Sequence, residues 1–338
     1  MKSADHLGRQ PSKGSGDPVE DFFDPVRQAK VEAADEAFKR IWIDDYPPQQ
    51  AIKMQIRSYM KRTDGVRGTP IKGLRLGQDW HSGKSSTVER LKFEVAQEHK
   101  DAGREENPFE ILIVTIEEEM TLKTFYQEVL RQMGDDFFNE EARKGPKRDE
   151  RTMKLLENKI ARWVKRLEVR LLVADEIQRL AGAKKMSGAV IERFQTFLDR
   201  GVVPLLLIGN EKSLAFFSEN KDLAVRFGRP LKLDPMRTQK DTTEAGHFQD
   251  FCRSFDEQLV ANHIFAIYSG LSQQRLLDPM ITVTGGHIGR VARMIQEAYP
   301  IAIRRGAASI EALDLSIVTR EFAIPLGWVD TDPFSTPT

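Results

Sequence analysis

The chain is poor in cysteine, in long apolar runs and in net charge. Its single cysteine among 338 residues, Cys252, excludes an internal disulfide and a zinc site built from several cysteines. No apolar stretch reaches the roughly 20 residues of a membrane-spanning helix, and the polar start lacks the apolar core of a signal peptide. Basic and acidic residues balance at 51 each, so any nucleic-acid surface must be a local stripe of cations. We therefore expect a cytoplasmic protein with no membrane partner.

What the chain does contain is an acid-ended apolar stretch paired with an upstream glycine turn. Residues 171–174 (LLVA) are typical of a buried strand, and Asp175 and Glu176 follow them at once. Two acids at the end of a buried strand are costly unless they serve a cation or activate water. Residues 83–86 (GKSS) supply a glycine turn, a lysine for phosphate oxygens and a hydroxyl for Mg²⁺. Together the two stretches predict a nucleoside triphosphatase.

Each residue of this pair of motifs has an expected role. Lys84 would neutralise oxygens of the β- and γ-phosphates, while Ser85 and Asp175 would hold Mg²⁺. Glu176 would polarise the attacking water, although the two acids could also simply cap the following turn. Backbone N–H groups at the start of the next helix would cradle the β-phosphate. The other predicted nucleotide contacts are Gly77, His81, Ser82, Gly83 and Ser86.

The glycine loop departs from the usual phosphate-loop pattern. The first glycine of that pattern would fall at Gln78, and Gly77 lies one residue too early. Either one residue is inserted here or glutamine replaces the glycine that permits a turn at positive φ. The shape of the loop is therefore open, whereas the roles of the lysine and the serine are unaffected.

The order of elements predicts an α/β fold followed by a helical domain. Apolar strands alternate with helices over residues 71–237, which is typical of a parallel sheet with helices on both faces. This nucleotide-binding domain ends with a possible short strand at 230–233. Residues 238–325 are expected to form a small all-helical lid, with helices at 242–260, 263–271, 289–298 and 309–322.

The two ends of the chain lie outside this core. Residues 1–29 are expected to form a flexible segment and residues 326–338 a tail. Residues 30–70 are expected to form a helical extension and linker, with helices at 30–43 and 51–61 separated by Pro47-Pro48. The aromatic stretch 324–334 (IPLGWVDTDPF) could dock on a neighbouring protein or pack against its own lid.

Polar residues beyond the two motifs complete the candidate site. Asn210 follows the apolar stretch 202–209, where it can reach a γ-phosphate or position water, or simply make a turn. Arg226 and Arg229 come just after the helix predicted to follow that strand, which suits a finger reaching a neighbouring subunit's nucleotide, or ordinary surface ion pairs. Arg290 begins a lid helix after 285–289 (GGHIG) and could swing onto the γ-phosphate, with Arg293 as its rival.

The order of these parts resembles that of an AAA+ ATPase and, more narrowly, of the TniB/TnsC family of DNA-transposition ATPases. The resemblance covers about residues 30–325. It rests on Ile41-Trp42, Phe125-Tyr126, Val129-Leu130, residues 175–178 (DEIQ) with Leu180, residues 223–227 and residues 286–290, besides GKSS and LLLIGN. It implies ATP and Mg²⁺ as cofactors, Glu176 as the water-activating acid, Asn210 as sensor 1, Arg226 as an arginine finger acting in trans and Arg290 as sensor 2.

The resemblance also implies assembly into rings or helical filaments on duplex DNA. Such an assembly marks a target site, recruits a transposase and a target-selection protein, and comes apart when ATP is hydrolysed. Many subunits share the contacts, so each needs only two or three cations for the phosphates, with little sequence preference. The candidate cations, each of which could also be ordinary solvated charge, are Lys123, Arg143, Lys144, Lys147, Arg148, Lys159 and Arg162. Thr121 is an uncharged candidate for the same DNA contact.

Two other functions remain open at this level. A helicase loader or replication initiator of the same branch usually carries a winged-helix module, and we expect no room for one in the roughly 15 residues after Phe322. An ATP-binding switch with little hydrolysis is the second alternative, because the irregular glycine loop leaves it open.

Overall fold

The structure, a computed structural model, describes residues 24–44, 46–66, 68–77, 82–118, 120–135, 148–181, 187–219, 221–236 and 242–335. The chain divides into two compact units. The α/β unit comprises Asp44–Met236 and His287–Gly289, and the helical unit comprises Met1–Ile43, Arg237–Gly286 and Arg290–Thr338. Within the described ranges, no helix has both the length and the apolar character needed to cross a bilayer.

In the described part of the α/β unit, a parallel sheet of four strands forms the centre. The strands are β1 (Leu74–Gly77), β2 (Ile111–Thr115), β3 (Leu171–Asp175) and β4 (Leu205–Gly209). Their spatial order is β1-β4-β3-β2, and both inner strands are buried at every residue, which explains their continuous apolar sequences. Gly77 pairs with Gly209 and Thr115 with Asp175, so the carboxyl ends of all the strands lie at one edge. Ligands of such sheets bind at this edge.

Helices make up most of the remaining described chain. In chain order they are α1 (Pro25–Phe38), α2 (Pro47–Thr63), α3 (Lys84–Asp101), α4 (Leu122–Gln132), α5 (Arg148–Arg166), α6 (Gln178–Ala181), α7 (Ser187–Asp199), α8 (Glu211–Glu219), α9 (Lys221–Phe227), α10 (Thr242–Ala261), α11 (Gln274–Thr284), α12 (Ile288–Arg305) and α13 (Ala312–Val318), followed by a π-helical turn at Thr319–Ala323.

Aromatic side chains and a cap fix the helices near the outer strand β2. Phe125 and Tyr126 of α4 pack on Phe194 and Phe197 of α7, with ring centroids 6.0 and 5.3 Å apart. Thr121 caps α4: its hydroxyl accepts the N–H of Thr124 at 3.1 Å and its own N–H donates to the Thr124 hydroxyl at 2.8 Å. α4 therefore starts at a fixed residue.

Charged side chains join α2 to α3. The side chain of Lys53 is only 3% exposed and its ammonium forms an ion pair with Glu94. Arg57 pairs with the other oxygen of Glu94 at 3.1 Å, and Arg90 pairs with Asp44 at 2.6 Å. The helix that precedes the sheet is thus fixed to the helix that follows the glycine loop.

Within the helical unit, α1 packs against helices from the far end of the chain. The ring of Phe38 lies 5.0 Å from Tyr299 and 5.9 Å from Phe255. The Tyr299 hydroxyl donates to Asp35 at 2.5 Å. α1 is therefore part of a helical core together with α10 and α12.

The C-terminal tail packs on its own helical unit. The ring of Trp328 meets Phe322 edge to face at 5.3 Å. Asp332 accepts hydrogen bonds from the Ser316 hydroxyl at 2.5 Å and from the N–H of Phe334 at 2.9 Å. Of the two alternatives for this segment, the described residues therefore show the intramolecular one.

Proline explains two differences between the predicted and observed helices. Pro47-Pro48, expected to separate two helices, instead begins α2. Proline is tolerated there because the N–H groups in the first turn of a helix make no intrahelical hydrogen bond. α11 was not predicted at all, since Pro279 inside it argues against a helix. The first helix also begins earlier than predicted: Asp24 accepts the N–H of Val26 and caps it at Pro25.

Two further predictions of regular structure are wrong. The helix expected at 263–271 is an irregular loop, because buried Asp256 accepts the N–H groups of Ser269, Gly270 and Leu271 at 2.7–3.2 Å and so fixes a non-helical backbone. The strand expected at 230–233 is reduced to a single parallel bridge between Leu76 and Leu231.

Candidate active site

The glycine loop leads into α3 through a left-handed backbone turn. Gly83 has φ of +84°, a conformation that glycine adopts at little cost, and α3 begins at Lys84. Ser82 is buried and accepts a hydrogen bond from the Lys84 ammonium at 3.1 Å, while Ser86 is exposed. The N–H groups at the start of an 18-residue helix point along its axis toward this turn, which makes the turn suitable for an anion. Gly77 ends β1 before the loop, and His81 lies outside the described residues.

A hydrogen bond joins the two predicted motifs. Ser85 donates its hydroxyl to Oδ2 of Asp175 at 2.6 Å, across 90 residues of sequence. Asp175 is only 6% exposed, and its Oδ1 accepts the N–H of Glu176 at 2.8 Å. The structure therefore brings together the hydroxyl and the carboxylate that the sequence assigns to a metal ion.

The donor set at this position fits Mg²⁺ rather than a metal held by protein alone. Among the described residues, no group of three or more His, Cys, Asp and Glu side chains could hold a metal ion. Mg²⁺ prefers one or two carboxylates, with water and substrate phosphates completing its octahedron. A serine hydroxyl and one buried carboxylate beside an anion-binding helix start satisfy that preference.

Glu176 lies next to this pair in an unusual backbone conformation. Its φ is +61°, which is uncommon for a residue other than glycine and costs energy. Its carboxylate accepts a hydrogen bond from the Gln178 side chain and lies 3.7 Å from the Arg179 guanidinium. The carboxylate is therefore held in place beside Asp175.

Asn210 uses one end of its side-chain amide to cap a helix and leaves the other end buried. Its Oδ1 accepts the N–H of Lys212 at 2.9 Å and caps α8, as a turn asparagine would. Its Nδ2, however, is buried and has no hydrogen-bond partner among the described residues. Buried donors are seldom left unsatisfied, so this amide is suited to a phosphate oxygen or an ordered water.

The four arginines occupy different surroundings. Arg226 lies inside α9 and not after a helix, because two helices follow β4 in place of the single one predicted; Arg229 follows α9 and is exposed. Arg226 forms an ion pair with Asp199 at 3.0 Å. In the helical unit, the guanidinium of Arg290 lies over the ring of Trp328 at 5.2 Å, and Arg293 pairs with Glu297 at 2.7 Å.

The predicted DNA contacts are only partly within the described structure. Thr121 and Arg162 are exposed, and Lys123 is half-buried. Lys159 is also half-buried and lies 3.8 Å from Asp135. Arg143, Lys144, Lys147 and the side chain of Arg148 lie outside the described residues.

Three polar side chains near the site have no role assigned from the sequence: Gln49, Thr87 and Gln178, of which only Gln178 lies in a motif, the stretch 175–178 (DEIQ). Gln49 of α2 donates to the Thr87 hydroxyl at 3.0 Å, and that hydroxyl donates to the Gly83 carbonyl at 2.7 Å. Gln178 contacts Glu176 and the backbone of Asn210. Gln178 could have been suspected from its place two residues after the acid pair, whereas no local signal identifies Gln49.

Comparison with solved structures shows the AAA+ fold. The chain is similar to the CDC6P protein of Pyrobaculum aerophilum, with a TM-score of 0.58, 16% identity, and coverage of 85% of this chain and 70% of that one. It is similar to the ORC2 protein of Aeropyrum pernix, solved as ADPNP–ADP complexes, with a TM-score of 0.56, 14% identity, and coverage of 84% and 71%. The ORC1 protein of the same organism, solved in complex with DNA, gives a TM-score of 0.56 and 14% identity over 81% of this chain and 65% of that one.

These likenesses confirm the predicted fold class, an α/β AAA+ domain with helical C-terminal structure. No curated protein matches the chain by sequence. A family model does match: the one described as TniB, bacterial TniB protein, covers residues 39–237, which include the glycine loop, the acid pair, Asn210 and Arg226. The match extends over more than half of the 338 residues, and the chain therefore belongs to the TniB family.

Proposed function

We propose that this protein is a Mg²⁺-dependent ATPase that assembles on duplex DNA and regulates transposition. The observation that carries the proposal is the 2.6 Å hydrogen bond from Ser85 to Asp175. It sets the two ligands that a nucleotide-bound Mg²⁺ would require at the start of a helix whose N–H groups suit phosphate.

The chain's own groups divide the work of hydrolysis. Backbone N–H groups of Gly83 to Ser85 bind the phosphates, and Lys84, now bonded to Ser82, turns its ammonium onto their oxygens. The carboxylate of Glu176 accepts a proton from the attacking water. The buried Nδ2 of Asn210 donates to the γ-phosphate or to that water, which satisfies a donor that lacks a described partner. Mg²⁺, when bound at Ser85 and Asp175, neutralises charge on the phosphate oxygens.

Four arginines have proposed roles in sensing the nucleotide. Arg226 is the proposed finger for the nucleotide of a neighbouring subunit, with Arg229 beside it. Arg290 is the proposed γ-phosphate sensor of the helical unit, with Arg293 as the rival. A guanidinium meets phosphate oxygens with two parallel hydrogen bonds, which suits it to a charge that appears only while the triphosphate is intact.

DNA is the proposed surface of assembly. A similar fold, that of Aeropyrum pernix ORC1, is known in complex with DNA. Arg162 is exposed and shares one side of α5 with Lys154 and Lys165, at spacings that bring side chains onto one helix face. None of these three has an ion pair with any residue in the described ranges, whereas Lys159 lies near Asp135. We therefore rank Arg162 above Lys159 as a phosphate contact, with Thr121 at the start of α4 as a neutral one.

Recruitment of a transposase and a target-selection protein is the part of the proposal that rests on family membership. The fold itself favours a second candidate function, because the similar solved structures are ORC and CDC6 proteins. A replication initiator or helicase loader would use the same nucleotide chemistry. An ATP switch that hydrolyses slowly would use the same binding groups but not Glu176.

The test is phosphate release from ATP by the purified protein, with and without duplex DNA, together with electron microscopy of the assemblies. We expect Mg²⁺-dependent turnover that DNA stimulates. Glu176→Gln should bind ATP and form long-lived assemblies on DNA, because it keeps the shape of the site but loses the base. The exposed Glu89 of α3 gives the matched control, Glu89→Gln, which should behave as wild type.

Three results would redirect the proposal. Normal turnover in Glu176→Gln would refute the role of that residue. ATP binding without turnover in the wild type would favour the switch. ATP-dependent stimulation of a cognate transposase supports the transposition role, and stimulation of helicase loading in its place would support the initiator role.

A further inference from the structure

The side-chain amide of Gln178 connects two residues of the proposed ATPase site. Its Nε2 donates a hydrogen bond to Oε2 of Glu176. Its Oε1 accepts the N–H of Asn210 at 3.2 Å. Both ends of the amide are therefore used, one on the carboxylate after β3 and the other on the backbone after β4.

The backbone around Gln178 is fixed from both sides. Ile177 donates its N–H to the Ile208 carbonyl at 3.0 Å, which attaches the residue before Gln178 to β4. Gln178 then begins the short helix α6. With its backbone fixed and both ends of its amide hydrogen-bonded, Gln178 can set the orientation of the groups it contacts.

Glu176 has a left-handed backbone conformation, with φ of +61°, and two side chains hold one oxygen of its carboxylate. Oε2 of its carboxylate receives Gln178 and lies 3.7 Å from Arg179, whose guanidinium is in turn bonded to the Ile116 carbonyl at 2.8 Å. Oε1 accepts no hydrogen bond from any described residue. One oxygen is thus held while the other is left for water.

Asn210 is the second residue that the amide holds. Its backbone N–H is engaged by Gln178, and its buried side-chain Nδ2 has no partner among the described residues. The donor available to the γ-phosphate and the carboxylate available to water are therefore joined through a single side chain.

We propose that Gln178 is a positioning residue, which fixes the carboxylate of Glu176 relative to Asn210 so that water is activated in line with the sensed phosphate. The inference rests on the proposed ATPase function and extends it by naming the group that orients the base. Catalytic bases are commonly oriented by a third group. A displacement of about 1 Å at such a group can cost roughly 100-fold in rate.

The experiment compares kcat and KM for ATP in Gln178→Met and in wild type. Methionine matches glutamine in length and in helix propensity but offers neither hydrogen bond. We expect kcat to fall by about 10- to 100-fold while KM changes by less than about two-fold, because the base is misplaced and the phosphate contacts are intact. Gln178→His should recover part of kcat, since a neutral imidazole both donates and accepts.

A second background shows whether the residue acts through Glu176. In Glu176→Asp the carboxylate is too short to keep the bond to Gln178, so adding Gln178→Met should lower kcat by less than about two-fold further. The matched control is Gln132→Met on α4. Gln132 donates a side-chain hydrogen bond to Glu128 at 3.0 Å, and the substitution removes this bond at a place away from the site. It should leave kcat and KM unchanged.

The outcomes separate this inference from the proposed function beneath it. A wild-type protein that does not turn over ATP contradicts the ATPase function itself. If the wild type is active, an unchanged or raised kcat in Gln178→Met overturns the positioning role alone. Parallel loss of kcat, ATP affinity and melting temperature in that variant, without recovery in Gln178→His, also overturns it, because a purely structural role would produce that pattern.

Discussion

The contact that supports the glycine loop gives the most quantitative prediction. Thr87 is fully buried, donates its hydroxyl to the Gly83 carbonyl at 2.7 Å and accepts the side-chain amide of Gln49 at 3.0 Å. Thr87→Val keeps the shape of the side chain and removes both bonds. The Gly83 carbonyl still accepts the backbone N–H of residue 87 at 2.9 Å, so the group left without a partner is the Gln49 amide, which is 6% exposed. An orphaned buried donor costs about 1–3 kcal/mol.

The assay is urea unfolding followed by circular dichroism, with ATP affinity measured by titration calorimetry. Thr87→Val should lower the stability of the α/β unit by that amount and weaken ATP binding, because α2 no longer holds the turn at Gly83. The control is Thr196→Val on α7, where the hydroxyl makes the same kind of bond, to the Glu192 carbonyl at 2.8 Å, but at an exposed position. Thr196→Val should change the free energy of unfolding by no more than about 0.5 kcal/mol.

A double variant supplies the result that would refute this reasoning. Gln49→Met combined with Thr87→Val removes both polar partners, and replacing both with apolar groups can be nearly neutral. The double variant should therefore be more stable than Thr87→Val alone. Equal or greater instability would show that the loss does not come from the orphaned amide.

Three other perturbations have definite expected results. Lys84→Ala should abolish ATP binding in calorimetry, while Lys92→Ala, farther along α3, should not; unchanged affinity in the first would remove the phosphate-binding assignment. Arg226→Ala should keep ATP affinity and lose turnover through the subunit interface, so hydrolysis that stays normal at every protein concentration contradicts the finger. Burial acts to raise the pKa of Glu94, but hydrogen bonds and charge from Lys53 and a neighbouring arginine outweigh it and hold that pKa below its ordinary 4.5. The stability that this carboxylate contributes is therefore present above about pH 4.5 and lost as the pH falls through the lower folded pKa. Glu94→Gln should therefore lower the melting temperature at pH 7, and this decrease should become smaller as the pH is lowered below 4.5.

The parts of the site that the sequence predicts are those encoded by a short motif beside a buried strand. Asp175 could be placed because an apolar run ends on it, and Ser85 because it follows a glycine and a lysine at a helix start. Parallel pairing then brings such strand ends to one edge without further information. The fold class follows from the same alternation of strands and helices.

What the sequence could not reveal depends on contacts between distant residues. Gln49 reaches Thr87 across 38 positions, and nothing local to either residue marks the contact. The loop at 263–271 has an apolar pattern that fits a helix, yet the carboxylate of Asp256, on another element, takes the N–H groups that a helix would use. α11 shows the opposite case: Pro279 is a local signal against a helix, and the packing of the helix overrides it.

The ion pair of Arg226 bears on how nucleotide and assembly are linked. Its guanidinium is held by Asp199 at 3.0 Å, and the two side chains are 40% and 43% exposed. An ion pair of that exposure contributes about 0–1 kcal/mol to stability, so it orients the Arg226 side chain but can be broken at little cost. A triphosphate carries more charge and can accept two parallel hydrogen bonds from the same guanidinium. If Arg226 is the proposed finger, we therefore expect self-assembly to increase with nucleotide occupancy. A neighbouring subunit without a bound triphosphate gives Arg226 no interaction stronger than its ion pair with Asp199.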